Sequence, residues 1–495
     1  MGWFKTLFKR EKPDGAPLYL YNTLGKSKQL FTLPPQAKTV RMYNCGPTVY
    51  DTQHIGNLSM FVFADTLRRV LEYNNFSVKQ IINITDVGHL TSDADDGQDK
   101  MTAGLEREEK ELTLENMRAL GEHYTNIFLS DLQKLNIDIS KITFPRASSY
   151  IPAQIAIVAT LYEKGYAYVA EDGVYFDTSR SKSYGILGGI NNEPDEKNAR
   201  VVSKASKRNL ADFALWKFSG KGGPDIGWDS PWGKGFPGWH TECSAMIRET
   251  LGEQIDIHTG GIEHIAVHHN NEIVQSEAVT GKKPLCRFWM HRAHVQLEGS
   301  KLAKSKGNVV YLSDIIERGF HPLALRYLYL GAHYRTSSNF TWEALEASQT
   351  AYLRLYSIAH GTKEEGAIPQ EYQKKVRDRF NDDLDTPGAL SVIWAMVKDN
   401  SLSAADIRTG LLDADRVLGL GLGKADKDAE SAFAKQFGKK IDLSDLPKDI
   451  QKSVSERAEA RKNQDWQTAD AIRKQLASQG YILEDNAEKS IVLKK

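Results

Sequence analysis

The chain carries three cysteines, no net charge and no long apolar run in 495 residues. Cys45, Cys243 and Cys286 are too few, and odd in number, for a disulfide framework. They imply a reducing compartment, so a cytoplasmic location is expected. They are also too far apart for a zinc ribbon, so any metal they hold must take single ligands from distant segments. No stretch of about 18 apolar residues occurs, which excludes a helical membrane span. Lys+Arg and Asp+Glu balance at 64 each, which excludes a globally basic nucleic-acid binder but not a local basic face. No internal repeat is found. The opening MGWFKTLFKR is too short for a signal peptide and meets the lipidation pattern only loosely, through Thr6. It reads best as a frayed amphipathic end.

What is present is a globular composition, 41% hydrophobic and 26% charged, in a chain too long for one core. TVRMYNCGP (39–47) reads as a buried strand ending in a Gly-Pro break. HIGNLSMFVFADTLRRVLEY has apolar residues at helical spacing, and SVKQIINITDV reads as a strand. Strand, helix and strand predict a parallel pair with a right-handed crossover, which places Cys45 and Thr85 at the carboxyl edge where α/β sheets bind ligands. Residues 138–222 break this pattern with short strands and polar loops, as an insertion would. The pattern returns in QIDIHTGG, a helix from about His268 to Val279, and RFWMHRAHVQL as one further strand. Helices follow Asp314, then GLGKADKDAE reads as a linker and the tail as a helical pair with Gly480 near its C-cap. The expected division is 1–137 and 223–315 as two halves of an α/β domain, 138–222 as the insertion, 316–425 as a helical domain and 426–495 as a C-terminal domain.

Within VHHNNE (267–272), His268 and Glu272 are four residues apart and share a helix face, while His269 could also reach Glu272. A surface His–Glu pair is the plain alternative. Cys45 at the sheet edge and Cys243 in PGWHTECSAM add two thiolates, and two sulfurs with a histidine and a glutamate suit Zn²⁺ better than Mg²⁺ or Ca²⁺. Cys286 lacks such a context and reads as a small buried residue.

HIGN (54–57) stands at a helix N-terminus, which favours anions, and KLAKSKGN (301–308) is a lysine-rich loop after a strand. Either alone means little. Together they resemble the HIGH and KMSKS motifs of class I aminoacyl-tRNA synthetases. NCGPTVYD, GWHTECSAM, DIHTGG, HHNNEIVQSEA and ARKNQDWQTADAIRKQL make nearly the whole chain resemble the cysteinyl-tRNA synthetase family. The resemblance implies a class I, Rossmann-like α/β catalytic sheet split by an insertion and followed by helical tRNA-binding domains. Three motifs depart from the family: HIGH ends in Asn57, KMSKS is KLAKS with both lysines kept, and the metal-binding helix has lost one of its two glutamates.

The resemblance assigns zinc to Cys45, Cys243, His268 and Glu272, and so selects His268 over His269. It assigns ATP, with Mg²⁺, to His54, Asn57, Gly260, Gly261, Glu263, Lys301 and Lys304, and L-cysteine to Thr85 and Trp239. It implies tRNA(Cys) as partner, with a stem-contacting region from 316 and an anticodon-recognising tail in which Arg457, Arg461, Lys462 and Arg473 are phosphate-contact candidates. A monomer is expected. A cysteine:aminosugar ligase on the same core should lack that tail. A decayed tRNA-binding paralogue would explain the altered ATP motifs but not the retained ligands and lysines.

Overall fold

The computed structural model describes residues 16–87, 100–188, 207–219, 226–297, 300–301, 309–485 and 490–494. The amino-terminal decapeptide, Lys304 and the side chain of Lys301 lie outside the described residues. The chain divides into two compact units.

The first unit takes in the chain up to Tyr311, with 334–339 and 381–384. Its centre is a five-stranded, all-parallel sheet of β1 (Thr39–Asn44), β2 (Ser77–Ile82), β3 (Ile142–Thr143), β4 (Ile255–Gly261) and β5 (Cys286–Arg292), in the spatial order β5-β4-β1-β2-β3. Val40, Met42 and Tyr43 of β1 and all seven residues of β4 are buried, as parallel strands covered on both faces require. Helix α1 (Ile55–Tyr73) makes the β1–β2 crossover. His54 starts it, its Nδ1 accepting from the Asn57 N–H at 3.2 Å, an N-cap made by imidazole.

The segment expected as an insertion over 138–222 differs at both ends. Its first residues supply β3 to the central sheet. Its antiparallel four-stranded sheet (Ala167–Val169, Gly173–Phe176, Phe213–Phe218) is closed by Gly235–Pro237, beyond 222. The chain then forms α2 (Trp239–Leu251), β4, α3 (His268–Thr280) and β5. RFWMHRAHVQL is not one strand. It breaks after Arg292, where the Ala293 N–H is taken by the Tyr334 carbonyl at 2.9 Å, and Val295–Leu297 joins another sheet.

Helix α3 is the anomaly that marks the site. HHNNEIVQSEAVT is mostly polar, yet every residue from His268 to Glu277 is buried. Burying so many polar groups is costly unless they bind one another or a ligand.

The second unit holds most of the expected 316–425 segment and the tail. Leu312–Glu317, Pro322–Leu330, Trp342–Ala359, Gln370–Asn381, Thr386–Val397 and Ala404–Leu418 are helices. The expected linker is overturned in its second half: a helix runs over Lys427–Phe437, capped by Asp426, whose Oδ1 accepts from the N–H groups of Asp428 and Ala429. The tail helices are Lys448–Lys462 and Trp466–Ser478, and an antiparallel sheet of Lys439–Ile441, Tyr481–Asp485 and Ser490–Lys494, not anticipated from sequence, accompanies them. Arg457 does not suit surface phosphate contact: it is 3% exposed, on the helix face that buries Ile450, Val454 and Ala460. Lys462 and Arg473 are exposed. Among the described residues no helix is long and apolar enough to cross a membrane.

Candidate functional site

Cys45 follows β1 at the carboxyl edge of the sheet. Cys243 lies on α2, in the second turn after the Pro237-Gly238 break, and His268 and Glu272 share one face of α3. The fold brings the four together: one donor atom from each lies within 4.8 Å of all the others, and all four side chains are buried. Tetrahedral zinc at bond lengths of about 2.0–2.3 Å needs donors about 3.3–3.8 Å apart, within that limit. His268 Nε2 stands 2.6 Å from Glu272 Oε1, but each atom is left without a hydrogen-bond partner despite full burial. Buried donor atoms without a protein hydrogen bond, gathered beside two thiols, are what a metal site offers. The donor set therefore fits Zn²⁺, and the second oxygen of Glu272 is held by His258 Nε2 at 2.8 Å.

His269, set aside on sequence grounds, is also close: its Nε2 is 3.3 Å from Cys45 Sγ, and Cys45, His258, His269 and Glu272 form a second compact donor group. His269 Nδ1 contacts His291 Nε2 at 2.8 Å, and His291 Nδ1 contacts Thr23 Oγ1 at 2.7 Å. His258 and His291 were missed from sequence. Each is a lone histidine inside a buried strand, which reads as core; the available signal was that both strands end at the same sheet edge.

Charge in this buried cluster is strongly redistributed. Hydrogen bonding from Cys45 lowers the Cys243 thiol to about 6, against the effect of burial. Burial and the neighbouring Cys243 push Cys45 the other way, so the thiol pair favours sharing one proton. Burial disfavours a charged His268, but the Glu272 carboxylate and Cys243 together outweigh it and raise the imidazole to about 10. Burial would raise Glu272, yet His258 and His268 hold it well below the usual carboxylate range. Burial and His258 lower His291 to about 3, and burial with neighbouring imidazoles lowers His269.

Cys45, Cys243 and His268 form one wall of a cleft of about 500 Å³. His54, Asn57, Trp239, Gly261 and Glu263 line it as well. Trp239 stacks on the His268 imidazole with ring centroids 4.1 Å apart. Lys100, not singled out from sequence, also lines the cleft, its Nζ 5.6 Å from the Trp239 ring centre. Thr85 lies just beneath: its hydroxyl donates to Glu242 Oε2 at 3.1 Å and accepts from Asn83 Nδ2 at 3.2 Å. Gly260 is not on the cleft wall, and a Cβ there would come within 2.6 Å of both His264 Nδ1 and His269 Cε1, so this glycine makes room for the histidine cluster. The structure thus gathers His54, Asn57, Gly261, Glu263, Trp239 and three of the four metal-type donors around one space, with Glu272, Thr85 and Gly260 directly behind it.

Residues 31–350 match the family model described as tRNA synthetases class I (C) catalytic domain, and residues 443–490 match the cysteinyl-tRNA ligase anticodon binding domain. The chain is 44% identical to cysteine–tRNA ligase 1 of Burkholderia lata over 474 residues, covering 95% of this chain and 96% of that one. It is 38% identical to cysteine–tRNA ligase of Treponema denticola over 503 residues, covering 96% and 99%. The fold is similar to that of Mycobacterium tuberculosis methionyl-tRNA synthetase in complex with methionyl-adenylate, with a TM-score of 0.53 at 14% identity over 80% of this chain and 91% of that one.

Proposed function

The chain belongs to the cysteinyl-tRNA synthetase family, a class I aminoacyl-tRNA ligase family, and from that premise we propose how its own residues carry out cysteine–tRNA ligation. The observation that carries this reading is the shared cleft: thiol and imidazole donors suited to a soft metal face the same space as the N-terminal end of α1. In the first reaction the carboxylate of L-cysteine attacks the α-phosphorus of ATP, giving cysteinyl-adenylate and pyrophosphate. In the second a terminal ribose hydroxyl of tRNA(Cys) takes the acyl group and AMP leaves. The protein mainly positions reactants and stabilises charge.

His54 and Asn57 hold the triphosphate at the start of α1, where peptide dipoles favour anions. Lys301 and Lys304 neutralise the departing pyrophosphate, and Mg²⁺ enters with ATP. Gly261 and Glu263 bound the adenosine side, with Gly260 behind them. Trp239 and Thr85 shape the cysteine pocket. Cys45, Cys243, His268 and Glu272 would hold zinc, which supplies a soft Lewis acid with much greater affinity for sulfur than for a hydroxyl. An apolar pocket separates near-isosteres by only about 1–3 kcal/mol, so sulfur recognition of this kind reduces the need for an editing site.

The tail binds the anticodon end of tRNA, with Arg461, Lys462 and Arg473 as phosphate contacts. Its match to an anticodon-binding domain weighs against the cysteine:aminosugar ligase reading. The enzyme works as a monomer in the cytoplasm. The test is ATP–pyrophosphate exchange by the zinc-loaded protein with cysteine and serine in parallel. Exchange with cysteine alone is expected. Binding of tRNA with no exchange would instead establish a decayed paralogue.

A further inference from the structure

A second cavity, of about 480 Å³, opens at the opposite edge of the central sheet. Ile255, at the start of β4, is in its wall, and Gly261, at the end of β4, is in the wall of the catalytic cleft. Six residue steps of strand place the two about 20 Å apart. The cavity belongs to neither the cysteine nor the ATP machinery.

Its wall carries an unbalanced charge, with the carboxylate that partly offsets it buried behind. Asp256, 0% exposed, accepts the Arg41 backbone N–H at 2.9 Å and faces Arg41 Nε at 3.5 Å and Arg287 Nη1 at 3.4 Å. Two guanidinium groups thus meet one carboxylate and leave one positive charge. The nearest further acid in sequence, Glu253, is paired with Lys282. Beyond Asp256, Arg41 Nη1 reaches only the Leu251 carbonyl at 3.5 Å, and Arg287 Nη1 the Thr32 carbonyl at 2.8 Å. Arg41 Nη2 and Arg287 Nε and Nη2 have no protein partner among the described residues. Both side chains are about one-third exposed, at 35% and 31%, and both line the cavity.

Leu30, 48% exposed, with Pro34, Ile255, Pro284 and Phe288 gives the wall an apolar part, and Gln29 and Gln254 complete it. Neutralising Asp256 alone would need one arginine. A second arginine, held over an apolar wall with unused planar donors, matches a carboxylate that carries an apolar body. We propose that this cavity binds a small, singly charged organic acid. The carboxylate bridges Arg41 and Arg287, and the apolar body lies against Leu30, Pro34 and Phe288. A phosphate dianion would overshoot the single excess charge and leave that wall unused.

Benzoate is the probe, titrated into the full-length zinc-loaded protein by calorimetry and saturation-transfer NMR, with benzamidine and inorganic phosphate as controls. Saturable benzoate binding is expected, weakened at least about tenfold by Arg287→Gln, through loss of a charge-assisted bond. Leu30→Glu, an exposed change that disturbs no buried charge, should abolish binding. Both variants should retain ATP–pyrophosphate exchange, which shows that they fold. The proposal is overturned if benzoate does not bind saturably, if both variants bind it as well as the parent, or if benzamidine or inorganic phosphate binds more tightly than benzoate.

Discussion

His268 Nε2 and Glu272 Oε1 lie 2.6 Å apart on successive turns of one buried helix, an ion pair between two of the four metal-type donors. Cys243 supplies one of the two sulfurs of the same site, and its replacement by serine removes a soft donor with almost no change in volume. Cys243→Ser is expected to lose both metal and cysteine binding. Zinc per chain should fall sharply by mass spectrometry, since loss of even a partner outside the ligand set costs about 10–100-fold in metal affinity. The KM for cysteine in pyrophosphate exchange should rise by more than that for ATP. Metal loss with unchanged cysteine affinity would remove the thiol-recognising role.

The two cysteines and the His–Glu helix could be read from the sequence as a candidate donor set, because their residue types are rare and their elements readable. The choice of His268 over His269 came only from the family resemblance. Three cysteines in 495 residues make each one informative, and the strand–helix–strand pattern put Cys45 at the correct edge. The support around the set could not be read. His258 orients Glu272 from β4, and His291 meets His269 from β5, contacts set by strand order and not by spacing along the chain. Arg457 misled for the opposite reason: on a charged helix, period alone does not tell which arginine turns inward, and packing against Ile450 and Val454 decided it. The tail sheet was hidden because its strands are only three to five residues long and two of the three carry lysines.

Gly46 tests how the sheet edge beside Cys45 is built. A Cβ at this position would lie 1.6 Å from the Asn83 carbonyl oxygen, which is backbone and cannot turn away, and the Gly46 N–H donates to Asn83 Oδ1 at 2.8 Å. Gly46→Ala must push the ends of β1 and β2 apart. A loss of about 1–3 kcal/mol is expected from such overpacking, read as a lower denaturation midpoint. Zinc affinity should fall with it, because Cys45 is the adjacent residue. An alanine variant with unchanged midpoint and metal content would contradict this account of the edge.

In the helical unit, His321 predicts a pH dependence with a definite sign. Its Nδ1 accepts the Leu323 N–H at 3.1 Å, capping Pro322–Leu330, and its Nε2 contacts Asp426 Oδ2 at 3.2 Å. Burial lowers its pKa below the ordinary value, and Asp426 offsets this only in part. The folded state therefore binds the proton less readily than the unfolded state does. This contribution to stability is present above about pH 6.5 and is lost as pH falls from there toward the lower folded value, by at most about 1.4 kcal/mol per pH unit. Urea midpoints at pH 7.5 and 5.5 should differ less in His321→Gln than in the parent. Equal differences would show that the cap does not titrate.

Asn57 decides whether the altered ATP motif still works. Its backbone N–H is taken by His54, so the start of α1 does not depend on its side chain. The side-chain amide makes no hydrogen bond within the described residues and lines the cleft. An amide N–H donated to a phosphate oxygen is a charge-assisted bond of about 1.5–3 kcal/mol. Asn57→Ala should therefore slow pyrophosphate exchange at limiting ATP by at least about tenfold, since each 1.4 kcal/mol is one power of ten. Zinc content and cysteine binding should remain unchanged, because Asn57 is not among the metal-type donors. Asn57→His restores the family's usual residue, which also offers an N–H, and should keep most of the rate. If alanine exchanges as fast as asparagine, the triphosphate is held by the His54 side and the lysine loop, and Asn57 is only a helix residue facing water.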